Sequence, residues 1–141
     1  MGPKKGADGK YALTLPMGKA KLTAIAAEDI GKCAYGVFKQ GAKWQGKRVG
    51  IAGDHVTGAA MAAEMSKQLG KDVVYNEVSP ATYRGFGFPG ADDLGNMFQY
   101  YVEFEQEFAA ARSLETSRSL NPALLDFKSW LAKYKDRIPL D

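Results

Sequence analysis

The hydrophobic period of this chain switches repeatedly between two and roughly 3.6 residues, and that switching constrains its fold more than any other feature. KYALTLP (Lys10–Pro16) alternates in β-prone residues and predicts a short strand that Pro16 and Gly18 end. AAEDIGKCAYGVFKQG follows, with Ile30, Ala34, Val37 and Phe38 at helical spacing, Glu28 and Asp29 in the first turn and Gly41 as a stop. GKRVGIAGDHV (Gly46–Val56) predicts a strand with its exit turn. Thr57 is placed to cap a helix over GAAMAAEMSKQLG that Gly70 stops, and DVVYNEVS (Asp72–Ser79) predicts the next strand. Strand, helix and strand joined by short turns form a βαβ unit, which predicts that these last two strands pair in parallel.

Ser79 followed by Pro80 is a helix start, but Gly85, Gly87, Pro89 and Gly90 keep that helix short. From Asp92 a longer helix carries Leu94, Met97, Phe98, Tyr101 and Phe108 near i, i+3, i+4 spacing, with Glu103, Glu105 and Glu107 between them. SLNPALLDFKSWLAKYKDRIP reads as a closing helix, with Asn121 or Asp126 as its cap and Leu125, Trp130, Leu131 and Tyr134 as its apolar face. The expected class is α/β, a small mixed sheet with flanking helices in a single domain over residues 1–141, and 45% apolar content suits one core.

Composition narrows the function classes. No apolar run reaches the ~20 residues of a membrane span, and the first ten residues lack the apolar core of a signal peptide. A single cysteine, Cys33, excludes an internal disulfide and a multi-cysteine metal site, and a reducing cytoplasmic or nuclear setting is expected. Residues 1–50 carry ten Lys or Arg against three acids, while residues 51–110 carry three against nine. No aromatic interleaving or nucleic-acid motif accompanies the lysines, so the basic half reads as solvated surface and nucleic acid is not an expected partner.

The segment RGFGFPGADDLGNMFQYY spells G-x-G-x-x-G at Gly85, Gly87 and Gly90. A dinucleotide loop needs a strand leading into the glycines and a helix opening from them, so that the helix N-terminus meets the pyrophosphate. Here the glycines follow a short helix, Pro89 removes a backbone donor, and Phe86 and Phe88 crowd the phosphate path. GIAGDHVTG has the strand-to-helix context but the wrong glycine spacing, so it reads as an ordinary turn.

Among single residues, His55 follows a predicted strand, where α/β folds place ligands, but no nucleophile or orienting acid marks a triad. Cys33 lies beside the apolar stripe of its helix and reads as buried and inert. Tyr83, Phe86, Phe88, Met97, Tyr100 and Tyr101 gather around the glycine loop; Met97 and Tyr101 are expected in the core, Phe86 and Phe88 at a cleft or partner surface. Asp92 and Asp93 are expected to cap and charge a helix start.

LPMGKAKLTAIAAEDIGK, GFGFPGADDLGNMFQYY and SLNPALLDFKSWLAKYKD occur in this order. With them the chain resembles the NmrA-like family, atypical short-chain dehydrogenase/reductase relatives that bind NADP and act as redox sensors or regulators. The resemblance spans nearly the whole chain and implies the C-terminal portion of a Rossmann-like NAD(P)-binding fold. It implies NADP as the family's cofactor, held by a glycine loop after the first strand of a preceding Rossmann half that has no counterpart in this sequence. No catalytic, cofactor-binding or metal residue therefore carries over, and NADP is not expected to bind this chain alone. The resemblance further implies a ligand or partner cleft near the glycine loop, with Tyr83, Phe86, Phe88, Pro89, Tyr100 and His55 as its candidate residues. Three readings stand: a non-catalytic regulatory domain, part of an NADP-dependent oxidoreductase whose cofactor half lies elsewhere, and an interaction or dimerisation module. A small molecule, a protein partner or a second copy are the partners these readings allow.

Overall fold

A computed structural model describes residues 2–140. Strands β1 (Lys4–Lys5), β2 (Tyr11–Leu15), β3 (Lys21–Ala24), β4 (Asp54–Thr57) and β5 (Val73–Glu77) form two sheets, ordered β1-β2-β5 and β3-β4. Helices α1 (Ala27–Gln40), α2 (Gly58–Leu69), α3 (Pro80–Arg84), α4 (Ala91–Glu103), α5 (Glu105–Ala110), α6 (Leu114–Leu120) and α7 (Phe127–Tyr134) surround them, giving the expected mixed α/β class.

The alternation in β2 does what a two-residue period requires: Tyr11, Leu13 and Leu15 are buried while Ala12 and Thr14 are half-buried. With Met17, Ala20, Ala62, Met65, Val73, Tyr83, Phe98 and Leu131 they make up the core. The parallel partner of β2 is β5, in register from Tyr11 opposite Val73 to Leu15 opposite Glu77. The expected parallel pairing of the strands on either side of α2 is therefore corrected. β4 instead pairs antiparallel with β3, Lys21 opposite Thr57 through Ala24 opposite Asp54.

The strand expected over residues 46–56 also shortens to β4. Ahead of it the backbone is engaged elsewhere: Ala52 N–H donates to Ser117 Oγ and Gly53 N–H to the Ala24 carbonyl. A side chain at Gly50 would overlap the Ala111 backbone, so the chain passes too close for an ordinary strand neighbour.

Local signals were realised where they act within one turn. Thr57 Oγ1 accepts the Ala60 N–H at 3.1 Å and Ser79 Oγ the Thr82 N–H at 3.0 Å. Gly70 closes α2 at φ 62°. The closing segment is two helices, because Asn121 turns extended after α6 while Asp126 caps α7 by accepting the Ser129 N–H at 2.7 Å. The long helix from residue 91 likewise breaks at Phe104, whose φ of −118° separates α4 from α5.

The largest departure lies in α1. Its expected apolar stripe faces outward: Ile30, Ala34 and Phe38 are exposed, Phe38 by 81%, and Val37 is half-buried. The buried face is Asp29, Cys33 and Gly36. Close approach to α6 selects it, since any Cβ at Gly36 would overlap the Leu120 backbone. Asp29 is fully buried and satisfied, accepting from Asn121 Nδ2 at 3.0 Å, the Leu125 N–H at 2.9 Å and Lys32 Nζ at 3.0 Å. Cys33 is buried as expected; burial pushes its thiol pKa up, and the nearby Asp29 adds to the shift.

Candidate functional site

The glycine run joins α3 to α4. Ser79 and Pro80 start α3, and after one turn Gly85 releases it at φ −74°. Gly87 at φ 70° and Gly90 at φ 83° then turn the chain through left-handed conformations that a side chain would strain. Gly90 itself is the N-cap of α4, so no side chain caps that helix. The capping expected of Asp92 and Asp93 is thereby corrected to a first-turn position, where they complement the helix dipole.

Tyr83 anchors the loop. Only 3% exposed, its ring lies 5.4 Å from Phe86, 5.6 Å from Phe88 and 5.5 Å from Phe98, the last two edge-on. Burial raises the pKa of its hydroxyl. Phe86 and Phe88 remain 47% and 38% exposed, and Pro89 between Phe88 and Gly90 is exposed too. From Phe98 the rings continue through Tyr101 (6.4 Å) to Tyr100 (6.2 Å), and Tyr100 lies tilted against Phe104 at 4.9 Å. Five of the six candidate residues thus belong to one aromatic ladder or its loop. Tyr101 and Met97 are partly buried against the core as expected.

Beside the loop lies an open hollow of about 390 Å³, lined by Arg84, Phe88 and Asp92 among others. Arg84 is held by its own neighbours, donating from one terminal nitrogen to Asn96 Oδ1 at 3.1 Å and to Gln99 Oε1 at 2.9 Å. The hollow combines a single aromatic ring, that of Phe88, with a fixed cation and two first-turn carboxylates, a mainly polar lining.

His55 lies elsewhere, half-buried in β4. Its Nε2 faces the Arg112 carbonyl at 3.1 Å and its Nδ1 faces Thr23 Oγ1 at 2.8 Å. A carbonyl only accepts, so Nε2 carries a proton and donates to it. Both ring nitrogens are spent on the fold. Among the described residues no group of three His, Cys, Asp or Glu is arranged to hold a metal, and no helix is long and apolar enough to cross a membrane.

A second hollow has no local signature in the sequence. It measures about 460 Å³ and is lined by Glu28, Met65, Trp130, Tyr134, Arg137 and Ile138 among others. Glu28 there accepts from Lys133 Nζ at 2.9 Å and Tyr134 Oη at 2.7 Å, bonds that hold its pKa down at about 2. These two partners are more than a hundred positions away, and nothing near Glu28 announces them.

Residues 2–134 match the profile of the NmrA-like family. The chain belongs to the NmrA-like family. A curated relative, prestalk A differentiation protein A of Dictyostelium discoideum, is 26% identical over 93 residues, which are 61% of this chain and 31% of that protein. The solved structure of NmrA, a negative transcriptional regulator in complex with NADP, superposes with a TM-score of 0.69 at 20% identity, over 92% of this chain and 44% of that one. An NADPH-dependent quinone oxidoreductase of Escherichia coli gives 0.71 at 22% identity, over 88% and 46%. These likenesses establish a shared fold within NAD(P)-binding, Rossmann-like proteins. This NmrA-like chain spans less than half the length of each of these relatives.

Proposed function

We propose that this NmrA-like chain is the ligand- or partner-recognising portion of an NADP-linked regulatory protein, working by binding and not by turnover, in the cytoplasm or nucleus. One observation carries the reading. The glycine run that spells a dinucleotide motif connects two helices and holds Phe86 and Phe88, both partly exposed, around Tyr83. A pyrophosphate cradle needs a strand-to-helix turn with N–H groups aimed at the anion, and this turn supplies ring faces in their place. The likeness to a negative transcriptional regulator supports the regulatory side of the reading.

Calorimetric titration of the purified chain with NADPH and with NADP tests it. The expected outcome is no heat beyond dilution; micromolar binding by this chain alone would sink the proposal. The second reading, part of an NADP-dependent reductase, draws support from the likeness to a quinone oxidoreductase. NADPH oxidation with a quinone acceptor, assayed with this chain joined to the cofactor half that the second reading requires, separates the two, since turnover supports the reductase.

A further inference from the structure

Two exposed faces of this fold both carry solvent-exposed aromatic side chains and lie in segments of opposite charge. On α1, Ile30, Ala34 and Phe38 recur at i, i+4 and i+8 with Tyr35 beside them, and Tyr35 and Phe38 are 67% and 81% exposed. Residues 30–53 hold Lys32, Lys39, Lys43, Lys47 and Arg48 and not one acid. Lys32 is tied to Glu28 and Asp29. Among the described residues Lys39, Lys43, Lys47 and Arg48 are exposed and form no ion pair.

The opposite composition occurs on α4 and α5. Residues 85–111 hold five acids and no lysine or arginine, and the nearest following cation, Arg112, is spent on the Phe108 ring, 3.5 Å from its centroid, and on the Phe108 carbonyl. Tyr100 and Glu103 near the end of α4, Phe104 at the break and Glu107 in α5 are all exposed, and the Tyr100 ring lies tilted against Phe104 at 4.9 Å. Glu105 is engaged separately, accepting the Lys21 N–H.

We propose that the outer face of α1 docks on the Tyr100–Phe104 face of a second copy of this chain. Solvent-exposed aromatic side chains grouped on one helix face mark an interaction surface when a polar rim surrounds them. The rim here fixes the partner. Face α1 against itself sets lysines against lysines, and face α4 against itself sets carboxylates against carboxylates. Only the crossed pairing brings opposite charges together around the apolar contact, which gives specificity and steers association. One crossed contact leaves one copy with its α4 face free and the other with its α1 face free, so association either closes through a second crossed contact about a two-fold axis or continues into a larger ring or an open chain. The contact stands apart from the reading of the glycine loop.

Sedimentation velocity over a concentration series tests this, using the wild type, Phe38→Asp and the double variant Glu103→Lys/Glu107→Lys. All three altered positions are exposed, and unchanged thermal melts confirm that each variant folds. The wild type is expected to gain mass with concentration and to lose it as salt screens the charges. Each variant alone is expected to associate at least tenfold more weakly. An equimolar mixture restores one intact α1 face and one intact α4 face, so it is expected to form a one-to-one dimer and stop there. A wild type that stays monomeric throughout overturns the proposal. So do variants that associate like the wild type, and a mixture that gains nothing over its components, which would point to like faces pairing.

Discussion

At the scale of single residues, the fold assigns its carboxylates unequal tasks. Glu28 lies in the first turn of α1, where a carboxylate complements the helix dipole, and the local sequence accounts for that much. The fold adds Lys133, Tyr134 and Lys32, whose hydrogen bonds lower its pKa from 4.5 to about 2. A depressed carboxylate contributes stability that is whole above its unfolded pKa and fades as pH falls through its folded value. The contribution of Glu28 is therefore present above about 4.5 and lost between about 4.5 and about 2. Thermal melts of wild type and Glu28→Gln across this range check it: the gap between their melting temperatures should be constant near neutrality and close below pH 4.5. A gap that ignores pH means the carboxylate charge is irrelevant. His55 shows the reverse lesson. In the sequence it only follows a strand, where α/β folds place ligands; in the fold Thr23 and Arg112, from two other segments, occupy both ring nitrogens.

At the scale of elements, capped helix ends and the inner face of α4 were readable, whereas the breaks at Phe104 and Asn121 and the inner face of α1 were not. Caps act over three or four residues, so Thr57, Ser79 and Gly70 announced themselves. Which side of α1 turns inward was decided by how closely α6 approaches. Gly36 lets the Leu120 backbone in, whereas a methyl group at Gly31 on the same helix would meet nothing within 4 Å. Alanine at the two glycines should therefore have opposite effects. Gly31→Ala gains helix propensity, about 0.5–1 kcal/mol. Gly36→Ala gains the same propensity but forces α1 and α6 apart, for a net loss of about 1–2 kcal/mol. Urea denaturation of the pair measures both; equal shifts of one sign would contradict this account of α1. The aromatic loop after α3 was legible for the same reason as the caps, because Gly87 and Gly90 prescribe a turn and the phenylalanines sit within it.

At the scale of the whole molecule, two carboxylates fasten the C-terminal segment to the body. Asp29 Oδ2 accepts the Leu125 N–H and its Oδ1 accepts from Asn121, while Asp54 Oδ2 accepts the Phe127 N–H at 3.0 Å. Asp29→Asn places an amide donor against donors in a fully buried site. The expected cost is about 2–3 kcal/mol from the lost charge-assisted bonds. That corresponds to a fall in melting temperature of roughly 8–12 °C. Hydrogen exchange should quicken first over residues 121–127, ahead of β2 and β5; uniform quickening would show that Asp29 does not act through this segment.

The sequence by itself determined the class, the order and type of most elements, their caps and turns, and membership of the NmrA-like family. These follow from periodicity, from glycine and proline backbone preferences, and from short ordered motifs, all of which operate within a few residues of each other. Tertiary structure alone decided that β5 pairs with β2 and β4 with β3, that α1 turns its small and acidic face inward, and that Glu28 meets Lys133. Those outcomes depend on which distant backbone comes close enough to exclude a side chain or take a hydrogen bond. No local pattern encodes that distance.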